Sequence, residues 1–490
     1  VFAPRLIIGL ILFAAMQTAC MVGPNFKSPP SPRVHKYTET PLAKKTAAVP
    51  ASGGAAQTFR QDKDIPLLWW ELFHSKQINQ LIKMGLINSP NLAAASAALK
   101  KAQQNWKAQI GSSLLPAVDG AFGIERQQYS TVQIGQNSSS TFNLFNPLIN
   151  VSYTFDFFGQ ARRQIESLKA QVDYQQFQLI AAQLTLTSNI VTSSITVASY
   201  RAQIQATKKL IKVEQDILDI LHKQYKIGGV SKENILTQIS TLEQTKALLP
   251  PLELSLSQTK HTLSALVGGF PEQALPEIEL ESLHLPTDLP LTMPSRLVRQ
   301  RPDIRAAEAL LHSACAEIGV ATAQLFPQVT LTGNEGWLSN TWQNLFTSTN
   351  NVWSLGLQVA QPIFKGNSLR AQRRAAIANF QEFAAQYKQT VLEAFQNVAD
   401  VLKAIEQDAL LYKIEVKADN AARASLELAI QQYRLGGVDY LSLLNAQQQY
   451  LTVHLKRINV QATRYQDSAA LFQALGGGWW QKPACIQPCS

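Results

Sequence analysis

The chain has 490 residues, 46% of them hydrophobic and only 16% charged, with a formal net charge of +10. That length can build several cores or one very elongated one, and the composition excludes a disordered chain and is lean in charge for a cytosolic enzyme. Lys and Arg are spread along the sequence, which reads as a solvated basic face and gives no indication of a nucleic-acid partner.

The first element is an export signal over residues 1–19. Arg5 supplies the positive charge, and the apolar run from Leu6 to Met16 is too short to span a bilayer with flanks to spare. Gln17-Thr18-Ala19-Cys20 then resembles the cleavage box of bacterial lipoproteins, although an aliphatic residue is usual where Gln17 stands. Lipid would join Cys20 as the first mature residue; plain signal cleavage near Ala19 is the alternative. Residues 20–65 read as a lipidated, extended segment. No later stretch reaches eighteen apolar residues, so any further membrane crossing falls to strands.

From residue 66 the chain is written twice, over 66–285 and 286–478. Asn88-Ser89-Pro90-Asn91-Leu92 opens a helix in the first half and Gln300-Arg301-Pro302-Asp303-Ile304 opens one in the second, over 302–325. Leu115-Pro116 and Phe326-Pro327 end them. Gln224-Tyr225-Lys226-Ile227-Gly228-Gly229-Val230 is echoed by Gln432-Tyr433-Arg434-Leu435-Gly436-Gly437-Val438. The offset stays near about 210 residues, which signals a duplicated domain and not a solenoid.

Strands are expected at about 116–127 and 148–158, then at about 327–337 and 351–362, with long polar loops over 127–147 and 338–351. Val151, Tyr153, Phe155 and Phe157 alternate with Asn150, Ser152, Thr154 and Asp156, and Trp353, Leu355, Leu357 and Val359 alternate with Ser354, Gly356 and Gln358. One face is therefore apolar and one polar. A soluble half-buried sheet shows the same alternation, but the aromatics and long polar loops favour a membrane barrel with Val151, Tyr153, Phe155, Trp353, Leu355 and Leu357 facing lipid.

Long helical hairpins follow over 160–267 and 366–475. Residues 161–227 and 367–435 contain no Gly or Pro. Helices of roughly 67 residues would reach about 100 Å and need support along their whole length. The first returning helix carries Pro250-Pro251, a kink or brief interruption, and the second has no such break. Residues 479–490 form a tail in which Cys485 and Cys489 could pair in an oxidising compartment; Cys315 reads as a small core residue. Four strands cannot seal a barrel, and open edges in lipid cost several kcal/mol per unpaired group, so copies must pool strands. Two would give about eight strands and three about twelve; only the larger number encloses water.

These residues together resemble the TolC-like outer-membrane factors, in the lipoprotein branch typified by OprM and NodT. The resemblance rests on Cys20-Met21-Val22-Gly23-Pro24-Asn25-Phe26, Trp70-Glu71-Leu72-Phe73, Arg301-Pro302-Asp303-Ile304 and Phe326-Pro327. Tyr433-Arg434-Leu435-Gly436-Gly437-Val438 and Gly476-Gly477-Gly478-Trp479 complete it. The tail beyond Trp480 departs from the pattern. The family implies an α+β membrane protein: a homotrimer with a twelve-stranded transmembrane β-barrel, four strands per chain, continued by a long periplasmic α-helical barrel. It also implies a place in the outer membrane of a Gram-negative bacterium. An inner-membrane RND-type transporter and a periplasmic membrane-fusion adaptor would hand over small molecules.

No catalytic constellation stands out. His35, His74, His222, His261, His284, His312 and His454 show no metal-ligand spacing, and there is no phosphate-cradling loop or nucleophile elbow. Neither an enzyme, a metal site nor a cofactor beyond the lipid on Cys20 is expected. The Gly-Gly pairs read as helix C-caps that reverse the chain. The resemblance adds that Tyr225, Gly228, Gly229, Tyr433, Gly436 and Gly437 form an adaptor-docking rim. Closure is expected near the same tip, at Asp216, Asp219, Glu427 and Leu428, through carboxylate rings or dewetting; solvated outer-face residues are the equal alternative. A duct for type I protein secretion and a pore-less periplasmic scaffold are the rival functions.

Overall fold

The computed structural model describes residues 21–34, 36–61, 63–130, 135 and 138–481. The expected export signal over 1–19, Cys20, Cys485 and Cys489 lie outside the described residues. In chain order the elements are β1 (Thr58–Gln61), α1 (Lys76–Asn88), α2 (Pro90–Leu114), β2 (Ala117–Ser130), β3 (Ser139–Phe155) and α3 (Gln160–Lys226). There follow α4 (Lys232–Lys246), α5 (Leu249–Leu266), β4 (Asp288–Leu291), α6 (Pro294–Gln300), α7 (Pro302–Ala323), β5 (Gln328–Trp337), β6 (Asn351–Ala360), α8 (Ser368–Arg434) and α9 (Tyr440–Ala474).

The helices begin and end where local chemistry dictates. Ser75, Ser231 and Asp439 cap α1, α4 and α9 by accepting the amides of Ile78, Asn234 and Ser442. Pro90 and Pro302 are the first residues of their helices, where a missing N–H costs nothing. Both breaker-free stretches fold as helices of 67 residues. The Pro250-Pro251 pair does interrupt the first returning helix: α4 ends at Lys246 and the two prolines fall in the first turn of α5. The second returning helix, α9, is unbroken over 35 residues.

One compact unit comprises the described residues within 21–29, 98–176 and 306–388. It holds an antiparallel sheet in the order β2-β3-β5-β6. The two strand boundaries of the first hairpin differ from expectation. Most of the expected 127–147 loop is strand: β2 runs on to Ser130 and β3 starts at Ser139, its partner in register. Pro147 had marked a loop boundary, but it stands just past Leu148, the last β3 residue laddered to β5 through Gly336. Pairing on that side resumes only at Phe145, which bridges Ser339, so the proline falls in a break between ladder and bridge, where a missing donor is tolerated. Beyond it Gln128 Nε2 donates to Ser139 Oγ at 2.8 Å. At its other end β3 stops at Phe155 and not 158, because the Asp156 carboxylate turns to accept the amides of Ala161 (3.1 Å) and Arg162 (3.0 Å) at the start of α3. Likewise β6 stops at Ala360, short of Pro362.

The second unit comprises the described residues within 30–97, 177–305 and 389–481. Its core gathers Trp69, Phe73, Ile78, Leu81, Ile190, Leu402, Tyr465 and Phe472. Trp69 stacks on Phe472 with centroids 5.3 Å apart. Each such fully buried side chain contributes about 1.5–3 kcal/mol. The signature Arg301-Pro302-Asp303-Ile304 serves this packing. Arg301 Nη1 donates to the Ala474 carbonyl at 2.7 Å, while its Nε and Nη2 grip Asp303 at 3.1 and 2.6 Å. Trp479 Nε1 donates to the Gln300 carbonyl at 2.7 Å, so both signatures meet in one joint. Unforeseen is a parallel pair, β1 with β4, which ties the segment expected to be merely extended to the start of the second half. Arg464 completes that tie by donating to the carbonyls of Gly53 (2.6 Å) and Ala55 (2.8 Å).

Candidate functional site

Register decides which side chains share a face of the sheet. Asp119, Asn150, Asn334 and Ser354 form one row, and Ser152, Thr332 and Gly356 the next. Thr154, Thr330 and Gln358 form a third, with Thr154 and Thr330 hydroxyls 3.2 Å apart. The opposite face carries Val118, Val151 and Leu355 in one row, Tyr153, Leu331 and Leu357 in another, and Phe155, Val329 and Val359 in a third. All six residues expected to face lipid therefore lie on this face, with Trp353 beside Glu335 at its far end. Trp353 and Leu355 are 73% and 72% exposed, which marks an apolar surface with no core of its own. The Glu335 carboxylate on that face went unread because Trp353, its partner, was assigned from its own strand alone.

Aromatic rings bracket the face. At one end Trp342 meets Phe122 and Phe145 edge-on at 6.1 and 5.7 Å. At the other Phe155 meets Tyr153 at 5.0 Å and Phe157 at 5.5 Å, and Phe158 stacks on Phe326 at 4.7 Å. Phe122 pairs with Pro147. From there to Phe155 is about 27 Å along the strand, close to the height of a membrane barrel's apolar band once strand tilt is allowed for.

The base of this unit holds residues 21–28 against α3 and α7. Arg163, only 1% exposed, donates to the carbonyls of Val22 (3.2 Å) and Gly23 (3.3 Å), to Asn25 Oδ1 (2.7 Å) and to Glu166 (2.7 Å). Phe26 stacks on His312 at 4.4 Å, and His312 Nε2 lies 2.9 Å from Glu166 Oε1. Burial would raise the Glu166 carboxyl, but bonds from His312 and Arg163 hold it below its ordinary range. Met21 packs against Gly159, where a Cβ would approach it to 2.5 Å. The residue that follows Cys20 is thus fixed at the β3–α3 junction. Only long-range contact could have found Arg163, since nothing local distinguishes it from Arg162.

At the helix ends the two Gly-Gly turns close alike. Gly229 N donates to Gln224 O and Gly437 N to Gln432 O, each at 2.8 Å, with Gly228 and Gly436 at φ +78° and +76°. Nothing crowds either glycine, so the left-handed backbone alone selects it. The tyrosines differ. Tyr225 is exposed, whereas Tyr433 is buried, its hydroxyl donating to Gln224 Oε1 of the other turn at 3.1 Å. Tyr433 also meets Tyr440 edge-on at 6.1 Å, and Tyr440 donates to Gln238 Oε1 at 2.7 Å. The expected rim is brought together through that link, with Tyr433 as its inner fastening.

The four expected gate residues are all exposed: Asp216 and Asp219 on α3, Glu427 and Leu428 on α8. Asp219 accepts a bond from Gln215 at 3.4 Å, and among the described residues no hydrogen bond joins the four to one another. Two carboxylates went unread. Glu214, fully buried, accepts from Thr245 Oγ1 at 3.0 Å through one oxygen while its Oε2 has no partner; burial pushes it up to about 7. Asp419, 3% exposed, is bound by His454 at 2.7 Å, Arg457 at 3.0 Å and Arg423 at 3.5 Å. Burial would raise it, and those partners hold it below its ordinary range.

Among the described residues no group of three metal-ligating side chains forms, and no helix is long and apolar enough to cross a membrane. A family model described as outer membrane efflux protein matches residues 81–269 and 293–477. The pyoverdine export outer membrane protein OpmQ of Pseudomonas aeruginosa is 30% identical over 84% of this chain and 87% of its own. Its namesake in Pseudomonas putida is 29% identical over 90% and 94%. The solved structure of the outer-membrane channel OprN superposes with a TM-score of 0.84, covering 94% of this chain and 100% of that one at 25% identity.

Proposed function

The chain belongs to the outer membrane efflux protein family, and from that premise we propose that it is the outer-membrane channel of a tripartite efflux system, a passive conduit and not an enzyme. The observation that carries this reading is the sheet, polar on one face, apolar and exposed on the other, ending within one chain at β2 and β6. In lipid such ends must be sealed, and closed membrane barrels begin at about eight strands. Three chains contributing four strands each make a twelve-stranded barrel whose polar rows line water. The 67-residue helices α3 and α8 continue it as a periplasmic tube. The two matched segments support an origin by duplication.

Anchoring of Met21 at the β3–α3 junction supports lipid on Cys20, because the residue that follows it is held at the end of the sheet. The tip of Tyr225, Gly228, Gly229, Tyr433, Gly436 and Gly437 receives the adaptor, which joins the duct to an inner-membrane RND-type pump. Exposed Ile227 and Leu435, 84% and 87% accessible beside the two glycine pairs, support a docking role. Asp216, Asp219, Glu427 and Leu428 narrow the tube near that tip.

Purified full-length protein should run as a heat-sensitive oligomer and conduct ions in planar bilayers, and Asp219→Ala or Leu428→Ser should raise conductance. Unchanged conductance in both variants removes the gate assignment. Deleting the gene should raise susceptibility to dyes, antibiotics, solvents or metal ions. Intact susceptibility together with loss of a secreted protein would overturn efflux in favour of protein export.

A further inference from the structure

The start of α8 is built against the usual rules for a helix N-terminus. Its first turn carries no acidic residue. Arg370, Arg373 and Arg374 stand at i, i+3 and i+4 on one stripe, with Lys365 just before, and all four are exposed. Cations there oppose the helix dipole, and like charges at these spacings repel. The matching junction of the first half is neutralised: Asp156 accepts the first amides of α3 and pairs with Arg162 at 3.1 Å. The second half has Pro362, Ile363 and Phe364 there instead. At the start of α3, Arg162, Arg163 and Lys169 find Asp156, Glu166 and Asp173, whereas among the described residues none of the four cations at the start of α8 has an ion-pair partner.

We propose that Lys365, Arg370, Arg373 and Arg374 bind the phosphates of anionic lipid headgroups in the leaflet beside the strand ends. Ile363 and Phe364, 95% and 87% exposed, lie between β6 and these cations. An apolar pair followed by a basic stripe is the composition of a membrane interface, where the rings and aliphatic groups enter the acyl boundary and the cations meet the surface potential. A free anion in water would make no use of the apolar pair. Arg374 lies about 9 Å along the helix from Ser368, within about one Debye length of that surface. The inference rests on the reading of the sheet as a membrane wall.

The test uses full-length protein reconstituted in phosphatidylcholine vesicles with spin-labelled phosphatidylglycerol or spin-labelled phosphatidylcholine. The fraction of motionally restricted lipid is read by electron spin resonance. Wild type should select phosphatidylglycerol by about threefold or more in low salt, with the preference fading in 0.5 M NaCl, about the Debye regime where surface charge is screened. Arg370→Gln/Arg373→Gln/Arg374→Gln should lose the preference, and the triple Lys variant should keep most of it. Glutamine is a good helix former, so folding should hold and the melting temperature should not fall. Equal selectivity in wild type and the Gln variant overturns the proposal. So does an altered anion-to-cation permeability in planar bilayers with lipid selectivity intact, which would put the stripe in the lumen. If neither labelled lipid is restricted by any version, the membrane-wall reading itself fails.

Discussion

Glu214 in the first helical hairpin and Asp419 in the second are buried carboxylates that resolve the cost in opposite ways. In the first, Glu214 of α3 sits with one hydroxyl donor and an unpartnered oxygen amid Ile217, Leu218 and Leu242. In the second, Asp419 of α8 is held by His454, Arg457 and Arg423. Burial without a cation drives a carboxyl toward its neutral form, whereas burial among cations keeps it charged. The same pair of hairpins differs in continuity, since only the first is interrupted at Pro250-Pro251. Of these two carboxylates Glu214 is therefore the pH-sensitive one; farther along the second hairpin Asp467 of α9 is likewise pushed up, to about 8, by burial and the neighbouring Asp408.

The largest way to break this contrast is Asp419→Ala, which strands Arg457 and His454. A loss of about 3 kcal/mol is expected, seen as a lower melting temperature of the detergent-solubilised protein. A drop no greater than that of exposed Asp216→Asn would count against the ion cluster. Next comes Glu214→Gln. The folded pKa of Glu214 is raised to about 7, so its favourable contribution is complete below the unfolded value and is lost as pH rises through 7. Between pH 6 and 8 the wild-type hairpin should loosen by about 1–2 kcal/mol after allowance for solvent screening. Hydrogen exchange of α4 amides should report it, and the Gln variant should show a flat profile. A pH-dependent α4 in the variant would move the effect elsewhere.

Gly228→Ala and Gly436→Ala sharpen the comparison from the side where the hairpins agree. Each places a Cβ at positive φ in open space, so each should cost about 1 kcal/mol and to the same degree. Proteolytic nicking at the two turns would measure it. Smallest is the tyrosine pair. Tyr433→Phe loses the bond to Gln224 and should cost about 1 kcal/mol or less, while Tyr225→Phe should leave stability untouched. Equal thermal shifts in the two would erase the asymmetry of the turns.

Much of the architecture was legible because its signals are local. Long stretches without Gly or Pro marked α3 and α8 nearly to the residue, and the glycine pairs marked their ends. Alternation found the sheet faces correctly, since period two needs no knowledge of the partner strand. The hairpin of β2 and β3 is longer than expected because Pro147 reads as a breaker until one knows that it falls in a break between the β5 ladder and the Phe145–Ser339 bridge. Of the site residues, Tyr225 and Tyr433 looked equivalent, and only one is exposed. Glu214, Asp419 and Arg163 were invisible, each being one charged residue among many on a long helix.

What the sequence determined alone is the set of rigid pieces, because capping, turn geometry and side-chain period act within a few residues of themselves. Tertiary structure decided the rest: that β1 joins β4 across the whole first half, that Arg163 clasps residues 21–28, and that buried Asp419 has cations while buried Glu214 has none. Those outcomes depend on which surfaces meet. A periodic pattern says that a face is covered but carries no record of the group that covers it.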